Sequence, residues 1–171
     1  MRGNYKPQWS QLQCMSILLV QSCSKSKNRS TVPVPALDLY SGFFFKIIKK
    51  AIREGEFDTR IDICILSAEY GLIDADTEID WYDRRMDTER ARELAPRVQQ
   101  TLQAKVHGTY KRVIINVGGV YNTALDGIDE YLQPDIYRIE GSGIGEKGHV
   151  LKKVIRGNIE SVISEQPLHG K

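Results

Sequence analysis

Four apolar runs, at residues 17–20, 61–66, 113–117 and 136–139, alternate along this chain with stretches of helical periodicity. Each run stops abruptly in small or polar residues, as a buried strand does when it leads into a loop. Strands that alternate with helices predict a parallel sheet with right-handed crossovers, and continuous apolar strands indicate burial on both faces. We therefore expect an α/β protein: a single three-layer domain around a mainly parallel four-stranded sheet, flavodoxin-like or Rossmann-like.

The periodicity between the runs predicts the connecting segments. Helices are expected over about 41–54, from about 87 or 88, over about 120–132 and over about 148–164. Pro96 should kink the second helix or begin a new one. A flavodoxin-like strand order, 2-1-3-4, is the first expectation. The polar connection 71–86, which contains Trp81 and Tyr82, is interpreted as a functional flap over the sheet edge.

Composition limits the classes of function. The chain has 171 residues, 41% hydrophobic and 27% charged, which suits one soluble globular domain. No apolar run approaches the ~20 residues of a membrane span, and residues 1–13 lack the apolar core of a signal peptide. We therefore expect a cytoplasmic protein with no membrane partner. Residues 1–14 are expected to be an N-terminal extension and 15–171 the α/β domain.

Charge and metal-binding residue types give no strong signal. The net charge of +2 is too small to indicate a nucleic-acid protein by itself. The three cysteines lack CxxC spacing, and the three histidines form no metal-like cluster. Neither a metal nor a cofactor is expected, and the oligomeric state stays open.

The first strand ends in Ser22-Cys23-Ser24-Lys25, where a thiol stands among hydroxyls and cations. Lysine neighbours and backbone N–H groups favour a thiolate, which makes Cys23 a candidate nucleophile. The same groups could instead cradle an anion, with Ser22, Ser24 and Lys25 as ligand contacts. A third interpretation is a small cysteine packed at a strand end. Of the three, the anion or ligand loop is preferred.

The second strand ends in Ser67-Ala68-Glu69-Tyr70-Gly71. Glu69 could act as a general base or bind a ribose-like hydroxyl, Tyr70 could stack on a base beside Ser67, and Gly71 permits a left-handed turn. The alternative is that Glu69 pairs with a nearby arginine and Tyr70 belongs to the core.

The flap carries Tyr82-Asp83-Arg84-Arg85. Arginine suits bidentate contact with phosphate or carboxylate, so Tyr82 and Arg84 are candidate ligand contacts. Asp83 is a candidate acid or base, or else an internal partner of Arg84. A solvated charge run is the ordinary interpretation of such a tetrad, and the adjacent Trp81 favours a functional one.

The third and fourth strands end in glycine-rich loops. Gly118 and Tyr121 follow the third strand, and Gly143 and Gly145 follow the fourth in G-x-G-x-x-G spacing. A dinucleotide fingerprint is not expected, because that motif belongs to a first βαβ unit and no strand follows the last helix. The expectation is a turn that presents backbone N–H groups near a helix start, suited to an anion.

Taken together, the blocks at 22–27, 35–44, 66–73, 82–84 and 143–145 resemble those of a widespread prokaryotic domain-of-unknown-function family. That family is related in pattern to YaaA-type peroxide-stress proteins and, more distantly, to archaeosine-synthesis enzymes. YaaA-type proteins are associated with DNA binding and oxidative stress, and the archaeosine relatives act on modified tRNA bases. The resemblance therefore implies a nucleic acid or a nucleotide as the partner.

The leading hypothesis is a domain that binds or processes a nucleotide, nucleoside or nucleic-acid base at the carboxyl edge of the sheet. Anion contacts would come from the Cys23 and Gly143 loops, base contacts from Tyr40 and Tyr70. Glu69 and Asp83 would serve as acid and base, if the domain is an enzyme at all.

Two rival hypotheses stay open. One is a non-catalytic nucleic-acid-binding, stress-related module that uses a basic rim of Lys25, Lys27, Arg29, Arg84 and Arg85. The other is a redox sensor built on Cys23.

Overall fold

The computed structural model describes residues 16–165. The predicted N-terminal extension lies outside this range. The described residues form the strands β1 (Ile17–Ser22), β2 (Val34–Pro35), β3 (Ile61–Ser67), β4 (Gly71–Asp74), β5 (Glu78–Ile79), β6 (Arg112–Asn116) and β7 (Asp135–Arg138). Their helices are α1 (Ala36–Leu39), α2 (Phe43–Arg53), α3 (Thr88–Val106), α4 (Ile144–Ile155) and α5 (Ile159–Glu165), with 3₁₀ helices at Gly119–Leu125 and Ile128–Glu130.

The α/β class is confirmed, but the central sheet is mixed and five-stranded rather than four-stranded. Its order is β4-β3-β1-β6-β7, with β3, β1, β6 and β7 parallel in the predicted order. The extra strand, β4, pairs antiparallel with β3 because the chain reverses at Gly71, whose φ is +76°. Residues 71–74 therefore belong to the sheet, and not to a flap as predicted. Strands β2 and β5 form a separate two-stranded sheet.

Side-chain alternation along the strands divides the core between the two faces of the sheet. Leu18 and Val20 of β1 pack towards α3 and the first 3₁₀ helix. Ile17 and Leu19 pack towards α2, α4 and α5. A smaller cluster around Tyr40 and its neighbours lies under α1 and the β2–β5 pair. Because α2 and α3 follow successive strands on opposite faces, the sheet is doubly wound.

The second predicted helix has its expected start and runs on through its proline. Asp87 caps α3, with its carboxylate accepting from the Arg90 N–H at 2.7 Å, as the predicted start implies. Pro96 lies inside α3 and begins no new helix. Its ring is on the exposed side, where water can bind the carbonyl that loses its N–H partner.

The third and fourth predicted helices are divided at glycines. Gly127 has a φ of +81° and separates the two 3₁₀ helices that replace the third. Gly157 has a φ of +90° and separates α4 from α5. The fourth helix also starts earlier than predicted, so that Gly143 is its N-cap and Gly145 lies in its first turn. Among residues 16–165, no helix has the length and apolar character that crossing a bilayer requires.

Candidate functional site

The carboxyl ends of β1 and β6 define the first feature of the site. From β1 the chain reaches β3 through α2 on one face of the sheet, and from β3 it reaches β6 through α3 on the other. The first 3₁₀ helix after β6 packs on the same face as α3, so the loops after β1 and β6 lead to opposite faces of the sheet and diverge at the ends of two adjacent parallel strands. Open α/β sheets bind their ligands at such a topological switch point. We call this feature the β1–β6 crevice.

Two buried amides lie near the carboxyl ends of β1 and β6. Gln21 and Asn116 face each other across β1 and β6 and are 0% and 1% exposed. The Asn116 Nδ2 donates to Gln21 Oε1 at 2.8 Å, and the Gln21 Nε2 donates to the Ser22 carbonyl at 3.2 Å. Because the Ser22 carbonyl can only accept, the direction of every bond in this chain is fixed. The terminal acceptor, Asn116 Oδ1, is buried and has no hydrogen-bond partner among the described residues.

A thiol and a phenol follow these two strands, Cys23 after β1 and Tyr121 after β6. Cys23 is half-buried, and its N–H donates to the Leu66 carbonyl at 3.0 Å, which joins the ends of β1 and β3. Its Sγ lies 3.1 Å from the Tyr121 hydroxyl, and either atom can donate. Burial, and then the neighbouring thiol, raise the pKa of Tyr121 above its ordinary value. The predicted Cys23 and Tyr121 are thus brought together, from residues far apart in sequence.

Three hydroxyls form a closed ring beside the crevice. The Tyr40 hydroxyl donates to Ser67 Oγ at 3.1 Å, and the Tyr82 hydroxyl lies 2.7 Å from Tyr40 and 3.0 Å from Ser67. Each hydroxyl can donate once and accept once around this ring. Tyr40 and Ser67 are 0% exposed and Tyr82 is 8% exposed, and burial raises the pKa of both tyrosines. Tyr82, predicted in a flap, is therefore part of the core.

The turn after β3 is held by the same ring. Ser67 Oγ accepts from the N–H groups of Glu69 and Tyr70 at 3.2 and 3.1 Å. The Tyr70 ring packs edge-on against Tyr82, with centroids 5.5 Å apart, and its hydroxyl donates to the Asp80 carbonyl at 3.2 Å. Tyr40 and Tyr70 thus contact other tyrosines, and the predicted contact of both with a base stays a prediction.

The predicted acids lie further along the edge. The carboxylate of Glu69 pairs with the Arg84 guanidinium at 3.5 Å, with both side chains well exposed. Asp83 lines a separate depression of about 610 Å³ at the start of α3, together with Arg84, Arg85 and Arg90. The structure therefore places Asp83 away from the Cys23–Tyr121 contact, while Glu69 is joined to the hydroxyl ring through its backbone.

The loop after Cys23 uses its polar groups internally. Ser24 Oγ donates to the Ser26 carbonyl at 2.7 Å and accepts from the Gly42 N–H, the N-cap of α2, at 3.1 Å. A Cβ on Gly42 would come within 2.4 Å of the Ser24 Cβ, so only glycine fits there. Lys25 is exposed, and its carbonyl accepts from Lys27 Nζ at 3.4 Å.

The glycine-rich loops after β6 and β7 meet at α4. Gly118 is the N-cap of the first 3₁₀ helix, and its carbonyl accepts from the Tyr121 N–H. In α4, the Lys147 Nζ donates to the Val117 carbonyl at 3.3 Å, which ties the loop of Gly143 and Gly145 to the end of β6. All four strand ends therefore lie along one edge, as the sequence predicts.

Sequence reasoning missed the buried amides. The available signal was a polar residue near the end of each of two otherwise apolar strands, Gln21 in β1 and Asn116 in β6. Within residues 16–165, no group of three or more His, Cys, Asp or Glu side chains is placed to hold a metal ion.

Comparison with known proteins gives a fold match and a family. A search of curated proteins found no significant match. The crystal structure of AF0587, a protein of unknown function, is similar over 86% of this chain with a TM-score of 0.50 and 12% sequence identity. That match covers 48% of the AF0587 chain, so this protein spans about half its length, and the likeness shows the fold alone. A family model, described as a family of unknown function, matches residues 17–153, and the protein therefore belongs to the DUF6884 family.

Proposed function

We propose that the protein binds a nucleotide, nucleoside or free base in the β1–β6 crevice. The observation that carries the proposal is the buried amide chain, which ends in the acceptor Asn116 Oδ1 at the topological switch point. A buried acceptor of this kind is costly to leave without a donor. Ring N–H, exocyclic amino and ribose hydroxyl groups all supply one. The resemblance of the sequence blocks to archaeosine-synthesis enzymes supports the same ligand class.

The neighbouring groups suit the remaining parts of such a ligand. The half-buried thiol of Cys23 and the phenol of Tyr121 give the crevice one polarizable wall. The backbone at Gly118 is accessible to a ligand, since a Cβ at that position would meet no atom of residues 16–165 within 4 Å. The cation of Lys147 is anchored beside it, on the Val117 carbonyl.

Binding is tested by titrating nucleosides, nucleotides and bases into the protein and measuring heat or thermal stability. Asn116→Ala should weaken binding of the ligand about tenfold, the effect of losing one buried hydrogen bond. Gln99→Ala is the matched control, because Gln99 is also a hydrogen-bonded amide but contacts the carbonyls of Ala124 and Asp126. The proposal fails if no member of these classes binds, or if both variants bind as the parent protein does.

Catalysis within this proposal is assigned to Glu69. Cleavage or transfer at a glycosidic centre needs a carboxylate near the leaving group, and Glu69 follows the hydroxyl ring directly. Asp83 is the second candidate acid, and it lines the separate depression at the start of α3. Glu69→Gln should abolish turnover of a ligand found in the binding screen and leave its affinity within about twofold. Unchanged turnover would remove Glu69 from the mechanism.

A second candidate function is binding of single-stranded nucleic acid along the same edge. The favouring observation is an alternation of aromatic rings and cations: the Arg29 guanidinium lies 5.9 Å from the centroid of the Trp81 ring, and Trp81 is 42% exposed. Lys27 Nζ lies 4.4 Å from the centroid of the buried Tyr82 ring and adds positive charge, while Trp81 is the aromatic ring exposed for stacking. Such surfaces bind bases by stacking and phosphates by charge. Affinity for an oligonucleotide should fall with salt at a log–log slope of roughly 0.7 per phosphate contact. A flat salt dependence, or unchanged affinity in Trp81→Ala, would exclude it.

A further inference from the structure

A cavity of about 460 Å³ lies at the carboxyl ends of β6 and β7. It lies between the first 3₁₀ helix, which contributes Asn122, and α4, which contributes Lys147. Val117 and Ile139 give it apolar walls. The residue before Asn122 is Tyr121, which contacts Cys23, so a single 3₁₀ helix borders both the crevice and this cavity.

Arg138 is the main charged group of the cavity. Its Nη2 donates to Asp129 Oδ2 at 2.6 Å, which holds one side of the guanidinium. Its Nη1 is buried and has no acceptor among residues 16–165. A guanidinium stays charged at every accessible pH and presents its donors in a rigid fork. One amino group is therefore bound to Asp129, and the remaining charge of the half-buried guanidinium is available to the cavity that Arg138 lines.

Lys147 gives the cavity a second cation. Its Nζ is anchored on the Val117 carbonyl at 3.3 Å and retains two further protons for donation. Glu140 is the acid that lines the cavity, and it is exposed at the rim. The lining thus joins two anchored cations to one exposed carboxylate. This arrangement favours a compact anionic group placed deep in the cavity, away from Glu140.

We propose that this cavity is a phosphate subsite, in which Arg138 and Lys147 bind the phosphate of a ligand whose base or ribose lies in the β1–β6 crevice. The inference rests on the proposed function for the identity of the whole ligand. The recognition of the anion rests on the cavity itself. A guanidinium held by a carboxylate and an adjacent ammonium, both lining one cavity, form the usual protein arrangement for a phosphate oxygen.

The test compares inorganic phosphate, acetate, a set of nucleosides and their 5′-monophosphates by calorimetry on the parent protein. Arg138→Gln should lower the affinity for phosphate and for the monophosphates about tenfold or more, and leave the nucleosides within twofold. Lys147→Gln should act in the same direction and serves as a second variant if Arg138→Gln folds poorly. Glu140→Gln should strengthen phosphate binding, since it removes a like charge.

Arg112→Gln is the matched control. Arg112 lies in the same strand pair, is bound to Glu160 at 2.7 Å, and lines a different cavity at the amino end of the sheet. Equal losses in Arg112→Gln and Arg138→Gln, or acetate binding as tight as phosphate, overturn the phosphate subsite. If nucleosides bind and their 5′-monophosphates bind no more tightly, the phosphate subsite is overturned and the proposed function stands. Phosphate that binds through Arg138 while no nucleoside or monophosphate binds supports the subsite and overturns the proposed function.

Discussion

Removing one hydroxyl from the ring of Tyr40, Ser67 and Tyr82 should destabilise the whole protein. Tyr82→Phe deletes contacts of 2.7 Å with Tyr40 and 3.0 Å with Ser67 and leaves the packed ring in place. Each such bond contributes about 1 kcal/mol net, and the two remaining hydroxyls stay buried with a lost partner. We therefore expect Tyr82→Phe to lower the free energy of unfolding by about 2 to 3 kcal/mol.

Tyr70→Phe is the control for this measurement. Within residues 16–165 the Tyr70 hydroxyl makes one hydrogen bond, to the Asp80 carbonyl at 3.2 Å, on an exposed part of the surface. Its loss should cost about 0.5 kcal/mol or less. Urea unfolding at pH 7 gives both values, provided that the slope of free energy against urea is unchanged. If the two variants differ by less than about 0.5 kcal/mol, the closed ring does not contribute as argued.

Three further predictions follow from particular side chains. Burial raises the pKa of Tyr40 and Tyr82, so these phenols ionise in the unfolded chain at a lower pH than in the folded protein. The free energy of unfolding should therefore be unaffected by them below pH ~10 and fall above it, by about 1.4 kcal/mol per pH unit for each tyrosine. Urea unfolding at pH 9 to 11 measures this slope, and an unchanged slope in Tyr40→Phe would contradict it. A Cβ on Gly148 would meet the Phe43 ring at 2.5 Å, whereas one on Gly145 meets nothing. Gly148→Ala should therefore destabilise the protein by about 1 to 3 kcal/mol through α4 packing, and Gly145→Ala should stabilise it by up to about 1 kcal/mol. Thermal melts in which both variants shift the melting temperature in the same direction would contradict this prediction. In a Cys14→Ser background, Cys23 should react with a maleimide in the folded protein and Cys64 should not, because burial raises the pKa of the Cys64 thiol to about 12. Mass spectrometry that finds both thiols modified at equal rates would refute this assignment.

The parallel part of the sheet could be predicted because its signal is local. Each of β1, β3 and β6 is a run of apolar residues long enough to be buried on both faces, and Asp87 marks the start of α3. The edge strand β4 could not, because its four residues lie in a polar segment. Its pairing depends on the open edge of β3 and on the reversal at Gly71, neither of which is visible in composition.

The location of the candidate site could be predicted from the sequence, but not all of the residues that form it. Strand ends give the position of Cys23, Ser67 and Gly118 directly. The burial of Tyr82 is a tertiary effect, since its hydroxyl is bound by two residues from other segments. Gln21 and Asn116 look like ordinary polar residues near strand ends, and their burial depends on the helices that cover that face of the sheet.

Because β1 lies between β3 and β6, the crevice cannot form during synthesis until β6 has been made. Ile17 of β1 lies opposite Ile61 on one side and Arg112 on the other. A chain emerging from the ribosome with its N-terminus first therefore carries β1 with one bare edge until β6 has been synthesised. The Cys23 thiol gains its partner later still, when Tyr121 has left the exit tunnel. A fragment that ends after Tyr82 and before β6 holds Cys23 and the residues of the hydroxyl ring but lacks one side of the crevice.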